Sequence, residues 1–177
     1  MKSFLIGLIL GLLILPLVGI YYFKFGKPPV AVADAPFPLE EQIVHTPLHA
    51  RMEHEMAKSV PVPATEENLL AGAQIYRQNC ATCHGLYSST SVFAQHMYPD
   101  APQLWHVHGS RHVVGVSDDP AQETYWKVSN GIRLTGMPSF KEVLTPAAMW
   151  QVSVLLTNAD KPMPQSVMDI ISKPIVY

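Results

Sequence analysis

The spacing of apolar and polar positions changes several times along this chain, and each change predicts an element. From Ser3 to Phe23 no side chain is charged and Leu, Ile, Gly and Val dominate, so these 21 residues predict one unbroken apolar helix. Residues 24–64 carry Pro28, Pro29, Pro36, Pro38, Pro47, Pro61 and Pro63, which predicts extended, stiff chain. Inside that stretch Leu48, Met52 and Met56 recur every four residues, and Thr46-Pro47 supplies a cap and a first-turn proline, so a short helix is predicted over 48–58. Thr65, followed by Glu66 and Glu67, caps a second helix whose apolar side is Leu69, Gly72, Ala73 and Tyr76. Residues 86–117 show no period and read as a long connection. A third helix follows Asp118-Asp119-Pro120 and stops at Asn130-Gly131, with Tyr125, Trp126 and Val128 making it apolar. A fourth starts at Thr145-Pro146 and carries Ala147, Met149, Trp150, Val152, Val154 and Leu155. The tail beyond Asn158 offers only a short apolar stretch, 167–171.

The first run is long enough to cross a bilayer core as a helix. A cleaved secretory leader is the rival reading, since Ala31-Val32-Ala33 has the small-x-small form of a cleavage site. That triplet lies beyond Lys24, Lys27 and two prolines, farther from the apolar run than a cleavage site normally sits, which favours an uncleaved anchor. Gly7 and Gly11 have the spacing of a helix-dimer motif, although glycine is common in membrane helices anyway, and Pro16 kinks such a helix without stopping it. Lys2 before the run and Lys24 and Lys27 after it leave the orientation undecided by charge.

Hydrophobic residues make up 48 % of the 177, much of the excess lying in the first 23. Without Lys2, Lys24 and Lys27 the remainder has nine basic against 14 acidic side chains, a formal charge of −5. Such a balance argues against nucleic acid and suits a partner with a basic face.

The chemistry concentrates in Cys80-Ala81-Thr82-Cys83-His84-Gly85, which uses both cysteines of the chain. C-x-x-C-H is the attachment signature for c-type haem, in which each thiol adds across a vinyl group and the adjacent imidazole ligates iron. The competing reading is a redox disulfide with His84 lowering a thiol pKa, which expects a βαβ pattern that this sequence lacks. Haem attachment by this motif also implies export, placing the domain outside the cytoplasm. An iron bound by His84 alone would stay open to small ligands; a sixth ligand from the protein closes it and makes an electron carrier. Met137 sits between Gly136 and Pro138 in a segment shaped to present a thioether, and Met97 in the long connection is the other sulfur candidate. His106, His108 and His112 form the densest histidine group; a copper or zinc site is one reading, but no cysteine or carboxylate lies within the group. His45 and His49 have a metal-pair spacing without an evident third ligand. Trp105 and Arg111 are chemically suited to neighbour haem propionates.

Cys80, Cys83 and His84, followed about fifty residues later by Gly136-Met137-Pro138-Ser139-Phe140, resemble a class I c-type cytochrome over residues 65–158. The resemblance implies an all-α, cytochrome c-like haem domain with one covalent haem c, behind a single N-terminal transmembrane helix. Its expected organisation is an anchor or signal sequence at 1–23, a proline-rich tether with a short helix at 24–64, the haem domain at 65–158 and a tail at 159–177. Cys80 and Cys83 then attach the haem, and His84 and Met137 are the axial ligands of its iron. Ala101-Pro102-Gln103-Leu104 resembles the family segment in which a proline carbonyl accepts the hydrogen bond from the proximal histidine, a role that falls to Pro102. Gly72 takes the place of the small residue at which the first and last helices cross, with Trp150 as the aromatic that meets Gly72 and Tyr76. The function implied is single-electron transfer between redox partner proteins on the outer, periplasmic face of the cytoplasmic membrane, as a carrier in a respiratory chain rather than an enzyme. No small-molecule substrate is expected. The alternatives are a haem-bearing subunit of a larger respiratory or redox complex, or a ligand-binding haem protein with an open sixth site.

Overall fold

The computed structural model describes residues 2–109 and 112–174. It is mostly helical, and it falls into two units, residues 1–45 and 46–177.

The first unit is dominated by α1, Lys2–Phe25, which buries none of its residues and runs through Pro16. Among the described residues α1 is the one helix long and apolar enough to cross a membrane. After it, Asp34 closes a turn by accepting from the backbone N–H groups of Val30 and Ala31, both at 2.8 Å. Those two donors hold its carboxyl below the ordinary carboxylate range.

α2 spans Glu40–Glu55 and so differs from the helix predicted at 48–58. Its start is set by Glu40, whose carboxylate accepts from Phe37 N–H at 2.7 Å, while Leu39 adopts a φ of 64° before the first turn. Pro47, which reads in sequence as a first-turn residue, lies inside α2. The missing donor and ring clash of an interior proline cost roughly 3 kcal/mol in a free helix. Here packing of the C-terminal half offsets that, for Met52 is only 2 % exposed.

The haem-motif domain is built on α3 (Glu66–Asn79), α5 (Ala121–Asn130) and α6 (Pro146–Thr157), with the short α4 (Ala81–His84) directly after α3 and α7 (Gln165–Ile171) closing the chain. The predicted caps are present: Thr65 Oγ1 accepts from Asn68 N–H and Thr145 Oγ1 from Ala148 N–H, with Pro146 in the first turn of α6. α3 and α6 cross at Gly72, where an added Cβ would lie 2.4 Å from the Gln151 carbonyl oxygen and 3.1 Å from Leu155 Cβ. Only a residue without a side chain lets the two backbones come so near. The crossing residues on α6 are thus Gln151 and Leu155. Trp150, in the same buried cluster as Tyr76, stacks on Tyr125 of α5, with ring centroids 4.1 Å apart and planes 12° from parallel.

Residues 86–117 contain a 3₁₀ turn (Ala94–His96) and two short strands, β1 (Val107–His108) and β2 (Val113–Val114), paired antiparallel with Val107 opposite Val114. The tail is integral to the core. Val167 and Ile171 of α7 are fully buried, and Arg77 of α3 donates to the carbonyls of Ile170, Lys173 and Pro174 at the end of α7.

Candidate haem site

α3 runs almost directly into the motif. Cys80 N–H still donates to Tyr76 at 2.8 Å, and the carbonyl of Cys80 receives both Cys83 N–H at 3.1 Å and His84 N–H at 2.9 Å. Cys80, Cys83 and His84 therefore stand at positions i, i+3 and i+4 of one helical turn, the spacing at which side chains share a face. Both thiols are free and half-buried. Burial, with Cys83 beside it, pushes the Cys80 thiol up to about 12.

The imidazole of His84 is aimed by its Nδ1, 2.8 Å from the carbonyl oxygen of Pro102. A carbonyl can only accept, so the proton sits on Nδ1 and the Nε2 lone pair is left for a metal. Burial lowers the His84 pKa, with the Pro102 hydrogen bond acting weakly against it, and the neutral ring is the form able to ligate. The backbone on either side is fastened as well. The Tyr76 hydroxyl lies 2.7 Å from the Gly85 carbonyl oxygen and 3.1 Å from that of His84, and Leu104 N–H donates to the His84 carbonyl. Gln103, which sequence reasoning passed over, holds three strands of chain together: its Oε1 accepts from Ser91 N–H at 2.7 Å, and its Nε2 donates to the carbonyls of Cys83 and Ala101. Nothing in the sequence marks Gln103 except its place beside Pro102.

Met137 is half-buried and packs on the core. Its loop is closed on itself and then tied to the end of α5. Thr135 Oγ1 accepts from Met137 N–H and donates to Ile132 O, Ile132 N–H donates to Met137 O, Phe140 N–H to Val128 O, and Ser139 Oγ to Ser129 O at 2.6 Å. Gly131 ends α5 with a φ of 67°, and a Cβ there would meet Ser139 N at 2.6 Å, so both its backbone angle and its space require glycine. Met97, the other sulfur candidate, packs its terminal methyl against Gly136, the residue before Met137.

Two histidines of the long connection, His106 and His108, serve its backbone. His106 Nε2 bonds the carbonyl of Leu86 at 3.0 Å and His108 Nε2 that of Gly115 at 2.5 Å, joining the start of the segment to its middle and β1 to the chain after β2. Among the described residues no three His, Cys, Asp or Glu side chains are grouped to hold a metal. Trp105 is buried and meets Tyr76 edge to face at 5.7 Å, while Arg111 lies outside the described residues.

The donor set suits a haem: two thiols and an imidazole on one helical turn, a thioether on a fastened loop, and a fixed Nδ1–H tautomer. Two further polar atoms are buried without a hydrogen-bond partner among the described residues, Trp105 Nε1 and Thr124 Oγ1. Buried donors of this kind are rare in a finished core, and they fit a domain whose interior includes a group besides its own side chains.

Comparison with known proteins agrees. A curated relative, quinohemoprotein alcohol dehydrogenase ADH IIB of Pseudomonas putida, is 26 % identical over 102 residues, which are 56 % of this chain but 12 % of that protein. This chain thus matches only a small part of that much longer relative. The solved Kuenenia stuttgartiensis reducing HAO-like protein complex superposes with a TM-score of 0.45 at 17 % identity, covering 78 % of this chain and 54 % of that one, a likeness too slight to carry weight. The family model described as cytochrome C oxidase, cbb3-type, subunit III matches residues 67–156, from the first turn of α3 to the end of α6. With half of its length matched in this way, the chain belongs to that family, and its helical domain is a haem-binding, c-type cytochrome domain.

Proposed function

We propose that this protein is a membrane-anchored, mono-haem c-type cytochrome that passes single electrons between redox partners on the outer face of the cytoplasmic membrane. In this reading α1 is the anchor, Cys80 and Cys83 would hold a haem covalently, His84 and Met137 would ligate its iron, and Pro102 fixes the His84 ring. The observation that carries it is the His84 Nδ1 to Pro102 contact at 2.8 Å, because it leaves the other imidazole nitrogen to ligate from a turn that also holds both thiols.

When bound, the haem supplies an iron that alternates between ferric and ferrous, taking up one electron and releasing one. The protein's part is to keep that exchange free of rearrangement. Pro102 holds the imidazole, and the Thr135 and Ser139 hydrogen bonds hold the methionine loop. A thioether ligand favours the reduced iron and raises the potential relative to two nitrogen ligands. No proton need move and no substrate pocket is required.

Two spectra test the proposal on protein made in a host that attaches c-type haem. Colour lost on acidic acetone extraction would sink covalent attachment. A sulfur-to-iron charge-transfer band should be present in the oxidised wild type and absent from Met137→Ala; its absence from the wild type would remove Met137 and leave an open-site haem protein. The family description names a subunit of an oxidase, which supports a second reading as one haem relay within a larger complex. Purification in mild detergent separates the two, since a lone monomer is expected for a free carrier and stable co-purifying subunits for the other.

A further inference from the structure

The helix that precedes the haem domain reaches the sixth-ligand loop through one tryptophan. Trp126 of α5 is 7 % exposed, and its indole N–H donates to Glu55 Oε2 at 2.9 Å, across 71 residues of sequence. The other oxygen of Glu55 accepts from Arg51 Nε at 2.8 Å, and the Arg51 guanidinium lies 6.0 Å from the centre of the Trp126 ring. Both come from the last turns of α2, where Met52 is buried. Trp126 is thus held at its edge by Glu55 and covered on its face by Arg51.

From Trp126 the fixation continues to Met137 through a short series of contacts. Asn130 Nδ2 donates back to the Trp126 carbonyl at 2.9 Å, closing the last turn of α5. Val128 and Ser129 in that turn receive Phe140 N–H and Ser139 Oγ, and Gly131 packs against the backbone of Met137, Pro138 and Ser139. Rotating the last turn of α5 would therefore carry the methionine loop with it.

We infer that Glu55 is a positioning residue for the sixth ligand: by fixing the Trp126 indole it sets the end of α5 on which the Met137 loop is hung. This rests on the assignment of Met137 as that ligand. Glu55 touches neither the iron nor the loop, and its effect passes through Trp126.

The test compares the oxidised holoprotein of wild type, Glu55→Ala and Glu55→Gln by the sulfur-to-iron band, the midpoint potential and the affinity for added imidazole, which competes with a thioether for iron. Glu55→Ala removes the acceptor for the indole N–H. It should weaken the band, lower the potential and tighten imidazole binding roughly threefold to tenfold, the effect of one partly exposed charge-assisted hydrogen bond. Glu55→Gln keeps an acceptor oxygen and should restore all three towards wild type. Thermal unfolding of each variant is recorded as well, since a merely structural role would lower the melting temperature with no change in band or imidazole affinity, and that outcome overturns the inference. So does an equal effect from Ala and Gln. A wild type without the band defeats the Met137 assignment instead, which keeps the two failures apart.

Discussion

At Gly72 a single hydrogen atom sets how closely two helices approach. Adding one methyl group there places carbon 2.4 Å from a backbone oxygen of α6, and backbone cannot turn aside as a side chain can. Gly72→Ala should cost about 1–3 kcal/mol of stability, as overpacking in a core does; a denaturation midpoint equal to wild type would show that the helices are free to part. Gly131 differs in kind, because its constraint is angular as well as spatial. Gly131→Ala should strain the end of α5 by about 1–2 kcal/mol and disturb the Met137 loop more than the fold, read as a weakened sulfur-to-iron band ahead of any large fall in melting temperature. The sequence discloses residues of these two sorts unevenly. The haem motif stands out because its residue types and spacing carry its chemistry, and Gly72, Met137 and Pro102 stand out through the resemblance of their segments to a known family. Gln103 does not, since its three hydrogen bonds join segments that only the fold brings together.

Among elements, helices with their own end signals were predictable and those made by tertiary contact were not. Thr65 and Thr145 cap α3 and α6 with their own hydroxyls, a local effect that a reader of the sequence can see. α2 misleads because Pro47 is a start signal in isolation. Its true start depends on Glu40, and its C-terminal half on Met52 burial and on Trp126, 71 residues beyond Glu55. The bonds from Arg51 and Trp126 also lower the Glu55 pKa below its ordinary value. A depressed carboxyl stabilises the docked helix fully above the ordinary carboxylate range, and that contribution is lost as the pH falls through the lowered value. Acidification should thus loosen the end of α2 before the rest of the domain. Faster hydrogen exchange at 50–56 than in α3 is the expected result once the pH is taken below the ordinary carboxylate range, and Glu55→Gln should abolish the pH dependence.

On the scale of the whole molecule, the two ends of the haem-motif unit both fold back onto it. α2 docks on α5 at one end, and α7 docks on α3 at the other, where Ile171 is fully buried. Truncating Ile171 to Ala should cost about 2–5 kcal/mol, as for other buried aliphatic side chains, while changing exposed Asp169 to Ala should leave the melting temperature nearly unchanged. The short apolar stretch at 167–171 was visible in the sequence, but its target was not, since the Arg77 bonds that hold it span more than ninety positions.

That closure by α7 has a consequence for the order of assembly. The carbonyls that clasp Arg77 lie more than ninety positions beyond it, and once α3 is clasped the Cys80 sulfur at its end is half-buried, its thiol pKa pushed up to about 12. A thiol in that condition reacts slowly, because the thiolate is the nucleophile. Attachment chemistry at Cys80 therefore has its best opportunity before α7 settles on α3, and a variant with α7 undocked by Ile171→Ala should be the better acceptor, read as faster haem attachment in a host that performs it.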